Sequence, residues 1–126
     1  MQNSFKIISG DFRGRKFSFP EIEGLRPTSG KIRETLFNWL QFDIVNKTAL
    51  DPFAGSGALS LEAISRGVKE VYVIEKDRNV YKKLKSNFKL LDKDRYTIIN
   101  EDAMTHLAKP SKQPFDLVFL DPPFAK

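Results

Sequence analysis

The sequence predicts an α/β fold, a doubly wound and mostly parallel sheet entered through a small N-terminal β-hairpin and helix. Three observations carry this. Short apolar runs such as Val71-Tyr72-Val73-Ile74 show no polar alternation, as expected of strands buried on both faces. Helical periodicities separate those runs and supply right-handed crossovers. Four strand ends in succession also deliver an acid, at Asp51, Glu75, Asp102 and Asp121. In a parallel sheet this places all four on one carboxyl edge, where Rossmann-like folds bind ligands.

Each element has its own signal. Phe5-Lys6-Ile7-Ile8 and Lys16-Phe17-Ser18-Phe19 are rich in β-branched and aromatic residues. The segment 9–15 between them, with Gly10, Asp11 and Gly14, reads as a hairpin connection. A loop with Pro20, Gly24 and Pro27 follows, and Thr28 and Ser29 are candidate N-caps for a helix to about residue 42. In that helix Ile32, Leu36, Trp39 and Leu40 form one apolar stripe, which predicts a core position for Trp39.

Thr48-Ala49-Leu50 leads a strand ending at Asp51, and 58–66 is helical with Gly67 placed to end it. After the strand 71–74 and Glu75, Asp77 caps a basic helix to about residue 91, with Val80, Leu84, Phe88 and Leu91 inward. Residues 96–100 are a third strand and 115–120 a fourth. Between them 109–114 reads as a flexible loop. A sheet ordered third, second, first, fourth leaves 115–120 as an apolar edge, a place for self-association with a second chain. The expected organisation is an arm and loop over 1–27 and a ligand-binding core over 28–126.

Composition excludes several function classes. A chain of 126 residues is about one domain. Without cysteine it has no disulfide framework, thiolate metal site or thiol nucleophile. Its 40% hydrophobic content, with eleven Phe, argues against disorder. No apolar run approaches the ~20 residues that cross a bilayer, and the N-terminus lacks a secretory pattern, so the expected location is cytoplasmic with no membrane partner. Of the net charge of +5, residues 1–33 contribute four: seven cations against three acids. Such an asymmetry fits a polyanion-binding arm.

The chemistry concentrates at the strand ends. Asp51-Pro52-Phe53-Ala54-Gly55-Ser56-Gly57 sits where a strand becomes a helix, and its glycines permit a tight turn and close backbone approach to a ligand. Ser60 stands where a dinucleotide fingerprint has its third glycine. Glu75 follows Asp51 by 24 residues, near the ~20-residue offset of an acid that grips ribose hydroxyls. An acid-rich site with few phosphate-binding features suits ribose hydroxyls, an exocyclic amine and a positive sulfonium, the groups of S-adenosylmethionine. Asp121-Pro122-Pro123-Phe124 adds a carboxylate and a stiffened carbonyl able to orient a base amine, and a ring face for stacking.

On these residues the chain resembles class I S-adenosylmethionine-dependent methyltransferases that act on amino groups. The N-terminal motifs Ile8-Ser9-Gly10-Asp11-Phe12-Arg13-Gly14-Arg15-Lys16, Arg26-Pro27-Thr28-Ser29 and Arg33-Glu34-Thr35-Leu36-Phe37-Asn38 resemble the RsmD-type small-subunit rRNA guanine-N2 methyltransferases. The resemblance implies methylation of a guanine N2 in ribosomal RNA, with the RNA or an assembling small ribosomal subunit as partner. It implies cofactor contacts at Asp51, Phe53, Gly55, Gly57, Glu75, Lys76, Asp102 and Ala103, and catalysis at Asp121, Pro122, Pro123 and Phe124. It implies RNA contacts at Arg13, Arg15, Lys16, Arg26 and Lys31, and no metal. Family members continue past the Asp-Pro-Pro-aromatic motif with further strands. The expectation is therefore a fragment, a truncated product or a chain completed by a partner.

Two other functions compete: a DNA amino-methyltransferase, since Asp-Pro-Pro-aromatic also serves adenine N6 chemistry, and a non-catalytic cofactor- or RNA-binding remnant. His106 has no second ligand at metal-site spacing and reads as a surface residue. Lys82, Lys83, Lys85 and Lys89 read as a solvated helix face.

Overall fold

The computed structural model describes residues 3–20, 25, 28–108 and 114–120. Arg26, the loop 109–113 and the tetrad 121–124 lie outside the described residues. β1 (Asn3–Lys6) and β2 (Lys16–Phe19) form an antiparallel hairpin. α1 (Gly30–Leu40) follows, then β3 (Thr48–Asp51), α2 (Ala58–Ser65), β4 (Glu70–Glu75) and α3 (Arg78–Phe88). β5 (Tyr96–Asn100), α4 (Ala103–Leu107) and β6 (Leu117–Val118) complete the described chain. The four later strands make a parallel sheet ordered β5-β4-β3-β6, the order expected from the sequence.

Local chemistry sets the boundaries. The Ser29 side chain accepts from the Ile32 N–H at the start of α1, and Asp77 accepts from the Val80 N–H at the start of α3. Val80, Leu84 and Phe88 of α3 and Leu61 and Ile64 of α2 join Ala49, Val71 and Val73 of the sheet in one core.

All eight residues of α2 are buried. Sheet strands cover one side, and the N-terminal segment covers the other. Glu62, fully buried in this apolar helix, accepts four hydrogen bonds. Its Oε1 receives the Ile8 N–H (3.0 Å) and Arg33 Nη1 (3.3 Å); its Oε2 receives the Ser9 N–H (3.1 Å) and Arg66 Nε (2.8 Å). Ser65 Oγ donates to the Ser9 carbonyl and accepts from the Phe12 N–H. Gly10, at φ +92°, fits because a Cβ there would fall on the Ser65 carbonyl. On the α3 side, Asn87 Nδ2 donates to the Ser18 carbonyl at 2.9 Å. The hairpin is thus bolted to the two helices that flank the sheet.

α1 keeps half of the expected stripe, with Leu36 and Leu40 packed partly buried against the core, and departs from it at Ile32 and Trp39. Its buried residues are Arg33 and Phe37, whereas Ile32 is 59% and Trp39 79% exposed. The helix turns Arg33 inward to meet Glu62, and Phe37 packs on Phe119 with ring centroids 5.8 Å apart. Arg33 is therefore no part of a polyanion-binding arm. Burial pushes its guanidinium below its ordinary pKa, and the charge of Glu62 opposes this. The fourth strand is also shorter than 115–120: it comprises Leu117 and Val118, with the Asp116 and Phe119 N–H groups bonded to the Thr48 and Leu50 carbonyls of β3, and Leu120 is exposed. Among the described residues no helix is long and apolar enough to cross a membrane.

Candidate functional site

The carboxyl ends of β3, β4 and β5 are tied together by backbone and side-chain bonds. Asp51, 1% exposed at the end of β3, accepts from Ser60 Oγ of α2 at 2.7 Å. The serine in the third-glycine position thus anchors the strand end to the helix after it. Past the buried Pro52 and half-buried Phe53 the chain turns. Ala54 N–H donates to the Ile74 carbonyl and Gly57 N–H to the Ala54 carbonyl. Gly57 holds φ +83°, and a Cβ there would lie 2.6 Å from Leu84 Cδ2 of α3. Only glycine lets this turn press against α3 without displacing it.

Glu75, half-buried at the end of β4, closes the arrangement. Its Oε1 accepts from the Gly55 N–H and its Oε2 from the Asp77 N–H, both at 2.9 Å. A carboxylate offers about four acceptor positions, so these two bonds fix the group and leave capacity for further donors. Asn100 Nδ2 donates to the carbonyls of Glu75 (2.9 Å) and Lys76 (3.1 Å), tying β5 to the same edge. The Lys76 side chain is exposed.

Asp102 differs from the expected strand-end acid. β5 stops at Asn100, and Asp102 caps α4 by accepting from the Thr105 N–H at 3.1 Å, with Ala103 buried behind it. His106 also differs: it is half-buried and its Nδ1 lies 3.2 Å from Glu101 Oε1. Asp51, Glu75 and Asp102 thus follow three adjacent parallel strands at one edge. Phe119 N–H donates to the Leu50 carbonyl at 2.9 Å, so the described chain runs toward that same edge. Asp121, Pro122, Pro123 and Phe124 lie outside the described residues.

Of the basic residues, Arg13, Arg15, Lys16 and Lys31 are all exposed. The connector that carries the first two is held by Ile7 N–H to the Arg15 carbonyl (2.9 Å) and Gly14 N–H to the Ile7 carbonyl (2.8 Å). Arg15 lies over the Phe12 ring, 5.1 Å from its centroid.

A family model described as Conserved hypothetical protein 95 matches residues 5–126. "Ribosomal RNA small subunit methyltransferase D" of Buchnera aphidicola (subsp. Acyrthosiphon pisum) is 44% identical over 98% of this chain and 69% of its own length. The chain belongs to this family. The methyltransferase D of Escherichia coli (strain K12) is 47% identical, over 96% of this chain and 61% of that protein. The solved structure of the yhhF protein of Escherichia coli superposes with a TM-score of 0.87 at 47% identity, covering 97% of this chain and 67% of that one. The fold is accordingly the Rossmann-like fold of class I methyltransferases. The chain spans about three fifths of the length of the Escherichia coli methyltransferase D that it matches.

Three positions carry more of this site than their sequence context announces. Ser60 holds Asp51, and Glu62 with Arg33 holds the hairpin. The signal for Glu62 was present in the sequence: a lone carboxylate inside Ala58-Leu59-Ser60-Leu61-Glu62-Ala63-Ile64 has to find cationic or N–H partners if the helix is buried.

Proposed function

We propose that this chain forms the cofactor-binding and RNA-contacting part of an S-adenosylmethionine-dependent enzyme that methylates the exocyclic N2 amine of a guanine in small-subunit ribosomal RNA. The observation that carries the reading is the Glu75 carboxylate, fixed by the Gly55 and Asp77 N–H groups at the mouth of a glycine turn. The residues fit the cofactor's chemistry. Glu75 has acceptor capacity left for vicinal ribose hydroxyls. The turn at Gly55 and Gly57 brings bare backbone to the edge. Asp102 and Ala103 stand on the neighbouring strand's exit, where they would face the adenine, and Phe53 and Lys76 flank the same edge.

When bound, the cofactor supplies an electrophilic methyl group on a sulfonium. The protein's task is orientation, because the amine's lone pair is delocalised into the guanine ring. Asp121 and the carbonyl of its proline turn accept the two amine N–H bonds and aim that lone pair. Phe124 stacks on the base for about 1–3 kcal/mol. No strong base is needed, since the methylated ammonium is acidic. Arg13, Arg15, Lys16, Arg26 and Lys31 hold RNA phosphates, in the cytoplasm where the ribosomal particle assembles.

Transfer of a labelled methyl group to unmodified small-subunit RNA, with duplex DNA as the comparison substrate, tests the reading. Label is expected in the RNA, in the guanine N2 position, and is expected to vanish in Asp121→Ala. Label in duplex adenine instead would overturn the assignment to RNA.

A further inference from the structure

A second basic surface of the described chain runs down α3, starting at Arg78 beside the carboxyl edge and ending at Lys89. α3 sends Val80, Leu84, Asn87 and Phe88 inward. Arg78, Lys82, Lys85 and Lys89 follow at steps of four, three and four on the opposite face, a stripe about 16 Å long at 1.5 Å per residue. Lys83 falls outside the stripe and is half-buried. Beside the stripe runs a groove of about 540 Å³ between α3 and β5, lined by Tyr81, Lys82, Lys85, Lys89, Lys93 and Tyr96 among others. It shares no residue with the glycine turn, Glu75 or Asp102.

The chemistry of the groove is specific in three respects. No acid lines it, and among the described residues none of its four lysines forms an ion pair. Two acids, Asp92 and Asp94, flank Lys93 in sequence; the Asp92 side chain accepts the Asp94 N–H at 3.0 Å. Like charges three and four residues apart repel along a helix, so the stripe is a cost to the free protein that a polyanion removes. Two half-buried tyrosines stand among the cations: Tyr81, with Lys85 Nζ 5.4 Å from its centroid, and Tyr96, whose ring packs inward on Phe88 at 5.2 Å between centroids. Cations interleaved with rings match a nucleic-acid strand, whose phosphates alternate with stackable bases. The apolar face of α3 is consumed by the core, so the helix itself presents no apolar face to a lipid surface; Leu90 beyond its end is a single exposed apolar side chain.

We propose that the α3–β5 groove is a second RNA-docking surface, gripping the phosphodiester backbone of a single-stranded segment that flanks the methylation target. The proposal rests on the RNA substrate assigned above. Asn87 donates from the inward face of α3 to the Ser18 carbonyl of β2, which ties the helix that carries the stripe to the basic hairpin.

The test is RNA affinity against salt for wild type, K82Q/K85Q/K89Q and the charge-preserving K82R/K85R/K89R, using an unmodified small-subunit RNA fragment. The Gln variant is expected to bind at least ~10-fold more weakly and to lower the log–log salt slope by about 2, at roughly 0.7 per single-strand phosphate contact. The Arg variant is expected to match wild type. Melting with S-adenosylhomocysteine is expected to be unchanged in both, which shows an intact fold. Unchanged affinity and slope in the Gln variant, with R13A/R15A still weakening binding, overturns the groove and leaves the RNA reading standing. Absence of RNA binding by wild type overturns both. Preferential binding of wild type to phosphatidylserine vesicles, lost in the Gln variant, overturns the groove as an RNA site.

Discussion

The two crossover helices α2 and α3 do the same topological job and opposite chemical ones. Each connects neighbouring parallel strands, yet α2 is buried on every side and α3 along one stripe only. α2 carries one carboxylate, Glu62, matched by four donors from three parts of the chain. The outer face of α3 carries cations, and no acid lines the groove beside them. The difference separates charge used to assemble the protein from charge left available for a partner. In α2 the charge is spent internally and defines where the hairpin sits; in α3 it remains free for a ligand.

The largest expected effect comes from emptying the α2 network. Glu62→Ala leaves Arg33 buried without its partner and strands the Ile8 and Ser9 N–H groups, and breaking a buried pair typically costs about 3–5 kcal/mol. Urea unfolding would read this as a lower midpoint, with early amide exchange at Ile8 and Ser9. A loss under ~1 kcal/mol would mean the hairpin is held by something other than Glu62. No single α3 lysine replaced by Gln is expected to shift the midpoint comparably.

Next is Gly57→Ala, where a positive φ and a Cβ crowding Leu84 coincide. Left-handed strain of about 1–2 kcal/mol adds to an overpacking cost of about 1–3 kcal/mol. The same substitution is expected to erase cofactor-induced stabilisation, because it displaces the turn that carries Gly55. A stable variant with normal cofactor response would refute the packed-turn account. Ser60→Ala follows: Asp51 loses the hydroxyl at 2.7 Å, for about 1–3 kcal/mol. Equal unfolding midpoints for Ser60→Ala and wild type would show that Asp51 does not depend on α2.

The smallest effect lies on the exposed edge. The Asp116 carboxyl sits below its ordinary range, chiefly because it accepts the Thr48 N–H, at 2.9 Å. A depressed carboxyl stabilises the fold above its unfolded pKa, near 3.9 for an ordinary Asp, and loses that contribution as pH falls through the folded value. Stability of wild type is therefore expected to drop more steeply on acidification than that of Asp116→Asn. Parallel curves would contradict this.

Much of the sheet was legible because its signals are local and mutually consistent. β3 ends at Asp51, β5 spans 96–100 and the strand order is the one expected. α3 announced itself through Asp77 and a clean inward stripe. α1 misled because apolar periodicity counts side chains and ignores a partner elsewhere. Glu62, 29 residues away, draws Arg33 inward, and the helix rotates Ile32 and Trp39 outward. Asp102 was legible as an acid near a strand exit but not as a helix cap, a role set by two residues of extra chain. The solvated reading of the α3 lysines holds for Lys82, Lys85 and Lys89, which are exposed, while Lys83 is half-buried.

The proposed function makes Glu75 the keystone of an adenosyl pocket, and melting with S-adenosylhomocysteine interrogates that directly. At about 100 times the dissociation constant, wild type is expected to gain about 2.7 kcal/mol, and Glu75→Ala at the same concentration to gain almost nothing. A wild-type melt indifferent to the ligand, or an equal gain in Glu75→Ala, would contradict the pocket.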